Sequence, residues 1–164
     1  MSSKILVALR IQASPKAVFD AFVDDIALWW RPNPLFSFTP RSPGVMAFEG
    51  DRLVERLASG KVFDVGEVRV WERGARLVFG WRQASFAPGV ETEVEVRFEG
   101  VEGATRVTVE HRGWDAVPAD SVARHGFPNA VFLHRHGEWW RTLLAGLATR
   151  ANSRQLGAAG KGEA

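Results

Sequence analysis

The stretch from Val45 to Arg112 constrains this chain most: it reads as short alternating runs separated by tight turns. A meander of antiparallel strands has one face that needs covering. Only one other segment is large enough to cover it, Asn129 to Ala151, which reads as a single long helix with a broad apolar stripe. Upstream, Ile5, Val7, Leu9 and Ile11 alternate with Leu6, Ala8 and Arg10 as a further strand. Ser14-Pro15 reads as an N-cap with proline at the first helical position. Val18, Phe19, Phe22, Val23 and Ile26 then form a helical stripe, which Asp24-Asp25 and Trp29-Trp30-Arg31-Pro32 break. Asn33 to Gly44 is proline-rich and reads as a loop, and the sequence leaves open whether it acts as a lid. The order is strand, helix, six strands, long helix: an α+β chain. The expectation is one domain over 1–151 and a flexible tail over 152–164, where the residues turn small and polar.

A chain of 164 residues suits one domain, which buries roughly 70% of its unfolded surface and needs no staple. It has no cysteine, which excludes disulfides, thiolate catalysis and cysteine-ligated zinc and fits a cytoplasmic location. The isoelectric point near 9.5 accompanies a net charge of only +2, because without Tyr or Cys little titrates between histidine and lysine. Lysines and arginines do not cluster, so nucleic acid is not an expected partner. No apolar run approaches the ~18 residues of a membrane span, and the start lacks a signal-peptide pattern. Seven Trp and eleven Phe either pack tightly or line a cavity.

Two-residue turns at Ser59-Gly60 and Arg73-Gly74 set an expected register. The first pairs Leu57 with Val62, Glu55 with Asp64, Leu53 with Gly66, and Arg52 with Glu67. The second pairs Val70 with Leu77, Val68 with Phe79, Gly66 with Trp81, and Trp71 with Arg76. Val62, Val68, Val70, Leu77, Phe79 and Trp81 then share the inner face, with Trp71 outside. A four-residue loop from Gly100 to Gly103 pairs Val96 with Val107, Val94 with Val109, and Thr92 with His111, while Glu93, Glu95, Arg97, Thr108 and Glu110 point out.

At one end this inner face turns polar. Glu55, Asp64, Gln83, Thr92 and His111 form a row, and the helix stripe of Phe132, His136, Trp139, Trp140, Leu143, Leu144 and Leu147 faces it. A mostly apolar cavity with a polar end that orients a ligand is the expected site. Its predicted lining is Glu55, Asp64, Phe79, Trp81, Gln83, Thr92, Val94, His111, Phe132, His136 and Trp140. The bland alternative is a wet sheet rim with satisfied core histidines. His134, His136 and Glu138 do not make a metal site, since helical residues two apart lie ~200° apart. No cofactor motif is present: there is no glycine-rich phosphate loop and no nucleophile elbow.

Four segments carry a resemblance to a known family: Phe63–Val70 with Leu77–Trp81, Thr92–Phe98, Thr105–Trp114, and Gly137-Glu138-Trp139 followed by Leu143-Leu144. With Ile11–Phe22 at the start, they resemble the family named for the activator of the heat-shock protein 90 ATPase, within the START, polyketide cyclase and birch-pollen-allergen superfamily. The resemblance spans roughly residues 4 to 150. It implies a helix-grip fold, a seven-stranded antiparallel sheet wrapped around a long C-terminal helix with an internal cavity. It implies no shared catalytic set.

The leading expectation is a protein that binds a small apolar or amphipathic ligand: a lipid, a polyketide or a hydrophobic metabolite. A cyclase or hydrolase using Glu55, Asp64, His111 or His136 as acid or base is the first alternative. A chaperone-interacting module is the second, and a homodimer is compatible with each.

Overall fold

The computed structural model describes residues 3–39 and 43–162, with side chains placed through residue 154. Strand β1 (Lys4–Ile11) leads to helix α1 (Pro15–Asp24) and the short α2 (Ile26–Trp29). Ser14 caps α1 by accepting from the Ala17 amide at 3.2 Å. Strands β2 (Val45–Glu49), β3 (Arg52–Arg56), β4 (Val62–Glu72), β5 (Arg76–Trp81), β6 (Thr92–Val101) and β7 (Ala104–Arg112) follow. Two turns of 3-10 helix, Trp114–Ala116 and Val122–Arg124, precede the long helix α3 (Asn129–Gly162). The seven strands form one antiparallel sheet in the order β1-β7-β6-β5-β4-β3-β2, and α3 packs against it as a helix-grip fold.

The helix extends beyond the end expected at Ala151. Arg154 reaches Asp25 at 3.1 Å and Asp24 at 3.2 Å, and Arg150 holds Asp25 at 2.9 Å, so this turn is tied to α1. Of the expected tail, residues 163 and 164 lie outside the described residues, as do 40–42 of the expected loop. No helix among the described residues is long and apolar enough to cross a membrane.

The hairpins depart from the expected register in an instructive way. Between β3 and β4 the turn has three residues, Ala58 to Gly60, closed by Leu57 N–H donating to Lys61 O at 2.8 Å with Gly60 at φ +89°. One extra residue shifts the pairing by one, so Glu55 meets Phe63, and Val62 meets Arg56. A shift of one turns side chains to the other face. Asp64 therefore lies outside, bound to Arg52 at 2.5 Å, and Val62 is exposed. A bulge beside Val54 restores the register, and Leu53–Gly66 and Arg52–Glu67 pair as expected.

The β4–β5 hairpin repeats the pattern with the turn Arg73 to Ala75 and a bulge between Val68 and Val70. Val68 meets Phe79 as expected, but Val70 meets Val78 and Trp71 meets Leu77. Trp71 is thus on the inner side at the sheet edge, 5.4 Å from the Phe19 ring, rather than outside beside Arg76. Arg76 turns to Glu95 at 2.6 Å instead. Between β6 and β7 the turn is the tight pair Glu102-Gly103, with φ +48° and +80°, in place of a four-residue loop. This moves the register by two: His111 pairs with Val94, and Val109 with Val96. A shift of two preserves the faces, so every inner and outer assignment there stands. On the outer face Arg112 binds Glu93, Glu95 and Glu110 within 2.7 Å and holds the Glu95 and Glu110 carboxyls below their ordinary range.

Candidate functional site

Sheet and helix meet in a chamber of aromatic rings. β5 ends on Trp81, β6 begins with Thr92, and β7 brings His111 beside them. Gly113, at φ +92°, turns the chain under the sheet end and drops Trp114 into the interior. From α3, Phe132, His136, Trp139 and Trp140 face inward, all buried. The loop after α2 supplies two rings that the sequence reading left out, Phe36 and Phe38, at 1% and 2% exposure.

His111 is fully bonded. The Trp140 indole N–H donates to its Nδ1 at 3.1 Å, and an indole nitrogen can only donate. Nδ1 is therefore the acceptor and the proton sits on Nε2, which faces Thr92 Oγ1 at 2.7 Å. Thr92 passes its own hydroxyl proton to Trp81 O at 3.2 Å. Burial, and secondarily His136, hold the His111 pKa well below its usual value.

His136 is different. It is completely buried, and burial pulls its pKa down to about 3. Neither ring nitrogen is hydrogen-bonded to another described residue; a contact with its own backbone only partly offsets the effect of burial. Six rings surround it with centroids between 4.6 and 5.8 Å away: Phe36, Trp81, His111, Trp114, Phe132 and Trp139. Two of these, Trp81 and Trp114, also have unpartnered buried indole nitrogens. Four unpartnered nitrogens thus lie on three residues whose rings are neighbours, and each such buried group calls for an explanation.

Phe36 and Phe38 plug this chamber from the side. Phe36 lies 4.6 Å from His136 and stacks on Trp139 at 5.7 Å; Phe38 lies 4.6 Å from Trp81 and stacks on Trp30 at 5.9 Å. The plug is latched by hydrogen bonds rather than by a strand. Ala84 N–H donates to Phe38 O at 2.7 Å, Gln83 Nε2 to Phe36 O at 3.4 Å, and Trp139 Nε1 to Arg31 O at 2.8 Å. His125 bonds Leu35 O, and Thr39 donates to Glu55 at 2.6 Å. Beside the plug, a crevice among Trp30, Phe36, Phe38, Glu55 and Trp139 amounts to about 10 Å³, the size of one water, and His136, Trp81 and Trp114 do not line it. In front of it, an open groove of about 440 Å³ runs past Leu35, Phe38, Ser85 and His125.

The predicted lining is therefore partly assembled. Trp81, Thr92, His111, Phe132, His136 and Trp140 converge in the chamber. Glu55 and Gln83 serve the plug, Val94 sits in the core beneath, and Phe79 packs toward Phe22 and Phe48 at the far end. Asp64 is outside, so no Glu55–Asp64 acid pair forms. No group of three metal-ligating side chains exists among the described residues. The missed residues had a signal: Leu35-Phe36-Ser37-Phe38 is strongly apolar for a proline-rich loop, and Trp114 follows a glycine at a strand end.

The profile of the family described as Activator of Hsp90 ATPase homolog 1-like protein matches residues 12–151. No curated protein matches the chain. Among solved structures, the Aha1 dimer from Colwellia psychrerythraea superposes with a TM-score of 0.60 at 18% identity, covering 88% of this chain and 92% of that one. PFC0360w, an Hsp90 activator from Plasmodium falciparum, gives 0.60 at 17% identity, with coverages of 90% and 94%. DynU16, from the dynemicin biosynthetic locus, gives 0.60 at 22% identity, covering 90% of this chain and 46% of that one. At such identities the likeness is one of fold.

Proposed function

The chain belongs to the Activator of Hsp90 ATPase homolog 1-like family, and on that premise we propose that it binds a small, mostly apolar molecule between sheet and C-terminal helix. One observation carries this reading: the four unpartnered nitrogens of Trp81, Trp114 and His136 inside a wall of rings. A core built only for stability would replace such atoms with carbon, because each buried orphan costs about 1–3 kcal/mol. A bound molecule with a polar edge would satisfy them. Phe36 and Phe38 occupy the space in its absence, and their loop, held by five hydrogen bonds, can leave without breaking a strand. The acid–base alternative is less well served. Asp64 is elsewhere, His111 has both nitrogens engaged, and at a pKa of about 3 His136 is a poor base at neutral pH.

The experiment is a fluorescence titration with N-phenyl-1-naphthylamine and a medium-chain fatty acid. It compares the wild type with Phe36→Ala, Phe38→Ala and Trp81→Phe. Ligand binding pays for displacing the plug, so removing a plug ring should tighten binding by about tenfold. Trp81→Phe should remove much of the signal. No binding below millimolar in any of the proteins would end this reading.

A further inference from the structure

Building on the binding reading above, we infer that the ligand is a neutral aromatic molecule with a hydroxyl or carbonyl on its ring edge, seated where the Phe36 ring now lies. The Phe36 ring occupies a position built for an aromatic plane: stacked on Trp139 at an interplanar angle of 24°, edge-on to Phe132 at 81°, and 4.6 Å from the His136 ring. It satisfies the shape of the chamber and nothing of its chemistry, since phenylalanine has no polar atom to offer His136. A hydroxylated or carbonyl-bearing ring in the same place keeps the ring contacts and adds the missing hydrogen bonds.

The donor set narrows the polar group. The Trp81 and Trp114 indoles, neighbours of His136, only donate, so an acceptor oxygen that reaches the His136 edge suits them. Neutral imidazole offers one donor and one acceptor, so a hydroxyl can use both its roles there. The site gives no welcome to charge. With a pKa of about 3, His136 is charged in only about one molecule in ten thousand at pH 7, so it offers an anion no countercharge. The nearby Arg124 guanidinium, 5.3 Å over Phe132, spends its donors on Trp114 O, Val117 O and Asn129 Oδ1. In the small crevice beside Phe36 the ionisable side chain is Glu55, whose oxygens would oppose a carboxylate.

Three probes of one shape test this: naphthalene, 1-naphthol and 1-naphthoate, titrated into the wild type, Phe36→Ala and His136→Leu. 1-Naphthol should bind about tenfold tighter than naphthalene to wild type and Phe36→Ala, as expected for satisfying orphaned buried groups. 1-Naphthoate should bind more weakly than naphthalene. His136→Leu breaks no hydrogen bond to another described residue and should fold; in it the naphthol preference should shrink to about twofold. Equal affinity for naphthalene and naphthol, tightest binding by naphthoate, or a preference undiminished in His136→Leu overturns the inference and leaves the binding reading standing. Failure of all three probes on both wild type and Phe36→Ala overturns the binding reading itself, and this inference with it.

Discussion

His111 and His136 lie 5.2 Å apart, ring to ring, both without solvent exposure and both held neutral by burial. Both ring nitrogens of His111 are used, in a chain from Trp140 through the imidazole and Thr92 to the Trp81 carbonyl. Neither ring nitrogen of His136 is bonded to another described residue, and the Trp81 and Trp114 indoles, which neighbour both imidazoles, have unpartnered nitrogens as well. The first neighbourhood lies where strands β5, β6 and β7 meet the helix, and strand pairing fixes its partners. The second lies where the sheet ends and a loop closes the gap. The difference separates an imidazole whose hydrogen bonds are met within the fold from one whose hydrogen bonds are not.

The two neighbourhoods share one response, to acid, and it is the largest effect expected. Both folded pKa values lie below the ordinary 6.5, so each histidine contributes stability that is full above about pH 6.5 and is lost as pH falls toward the folded value, about 3 for His136. By pH 5 the loss from His136 should reach about 2 kcal/mol relative to its full value, and His111 adds a loss of the same sign. The carboxylates that arginines hold low, Glu93, Glu95 and Glu110, add their losses only at lower pH. Urea unfolding at half-unit steps measures the slope, and His136→Leu should make it shallower. A flat profile over this window would mean that neither ring is kept neutral by the fold.

Substitution should then split the pair. His111→Leu leaves the Trp140 N–H unpaired and should destabilise by about 3 kcal/mol, read from the urea midpoint. The tryptophans sharpen the contrast. Trp140→Phe removes the donor to His111 Nδ1, whereas Trp81→Phe removes an indole N–H that bonds nothing. Beyond the shared loss of ring volume, Trp140→Phe should cost about 1 kcal/mol more. The last effect has the opposite sign: His136→Leu at pH 7 should stabilise, by about 1 kcal/mol, because it removes two buried nitrogens unpartnered among the described residues. A loss comparable to that of His111→Leu would erase the distinction between the two neighbourhoods.

The hairpins show why the site was only partly legible in sequence. At β6–β7 the expected loop was longer than the actual turn by two residues, and alternation has a period of two, so His111, Val94 and Thr92 kept their faces. At β3–β4 and β4–β5 the turns were each longer by one residue, and Asp64, Val62, Val70 and Trp71 changed sides near the turn until a bulge undid the shift. The helix stripe was secure for another reason. Period 3.6 runs through the helix without interruption, and Phe132, His136 and Trp140 all face inward as expected.

Local pattern and period alone determined the element order, the seven strands, the covering helix and the inward faces of β6, β7 and α3, because those depend on neighbours in the chain. Tertiary structure alone decided what fills the chamber. Phe36 and Phe38 reach it from a loop with no periodicity, and Trp114 through a left-handed glycine. Which histidine is satisfied was also decided there, by an indole 29 residues away in sequence that happens to stand over one imidazole and not the other. Hydrogen bonds between distant side chains follow from packing angles and fractions of an ångström, and no spacing along the chain encodes those.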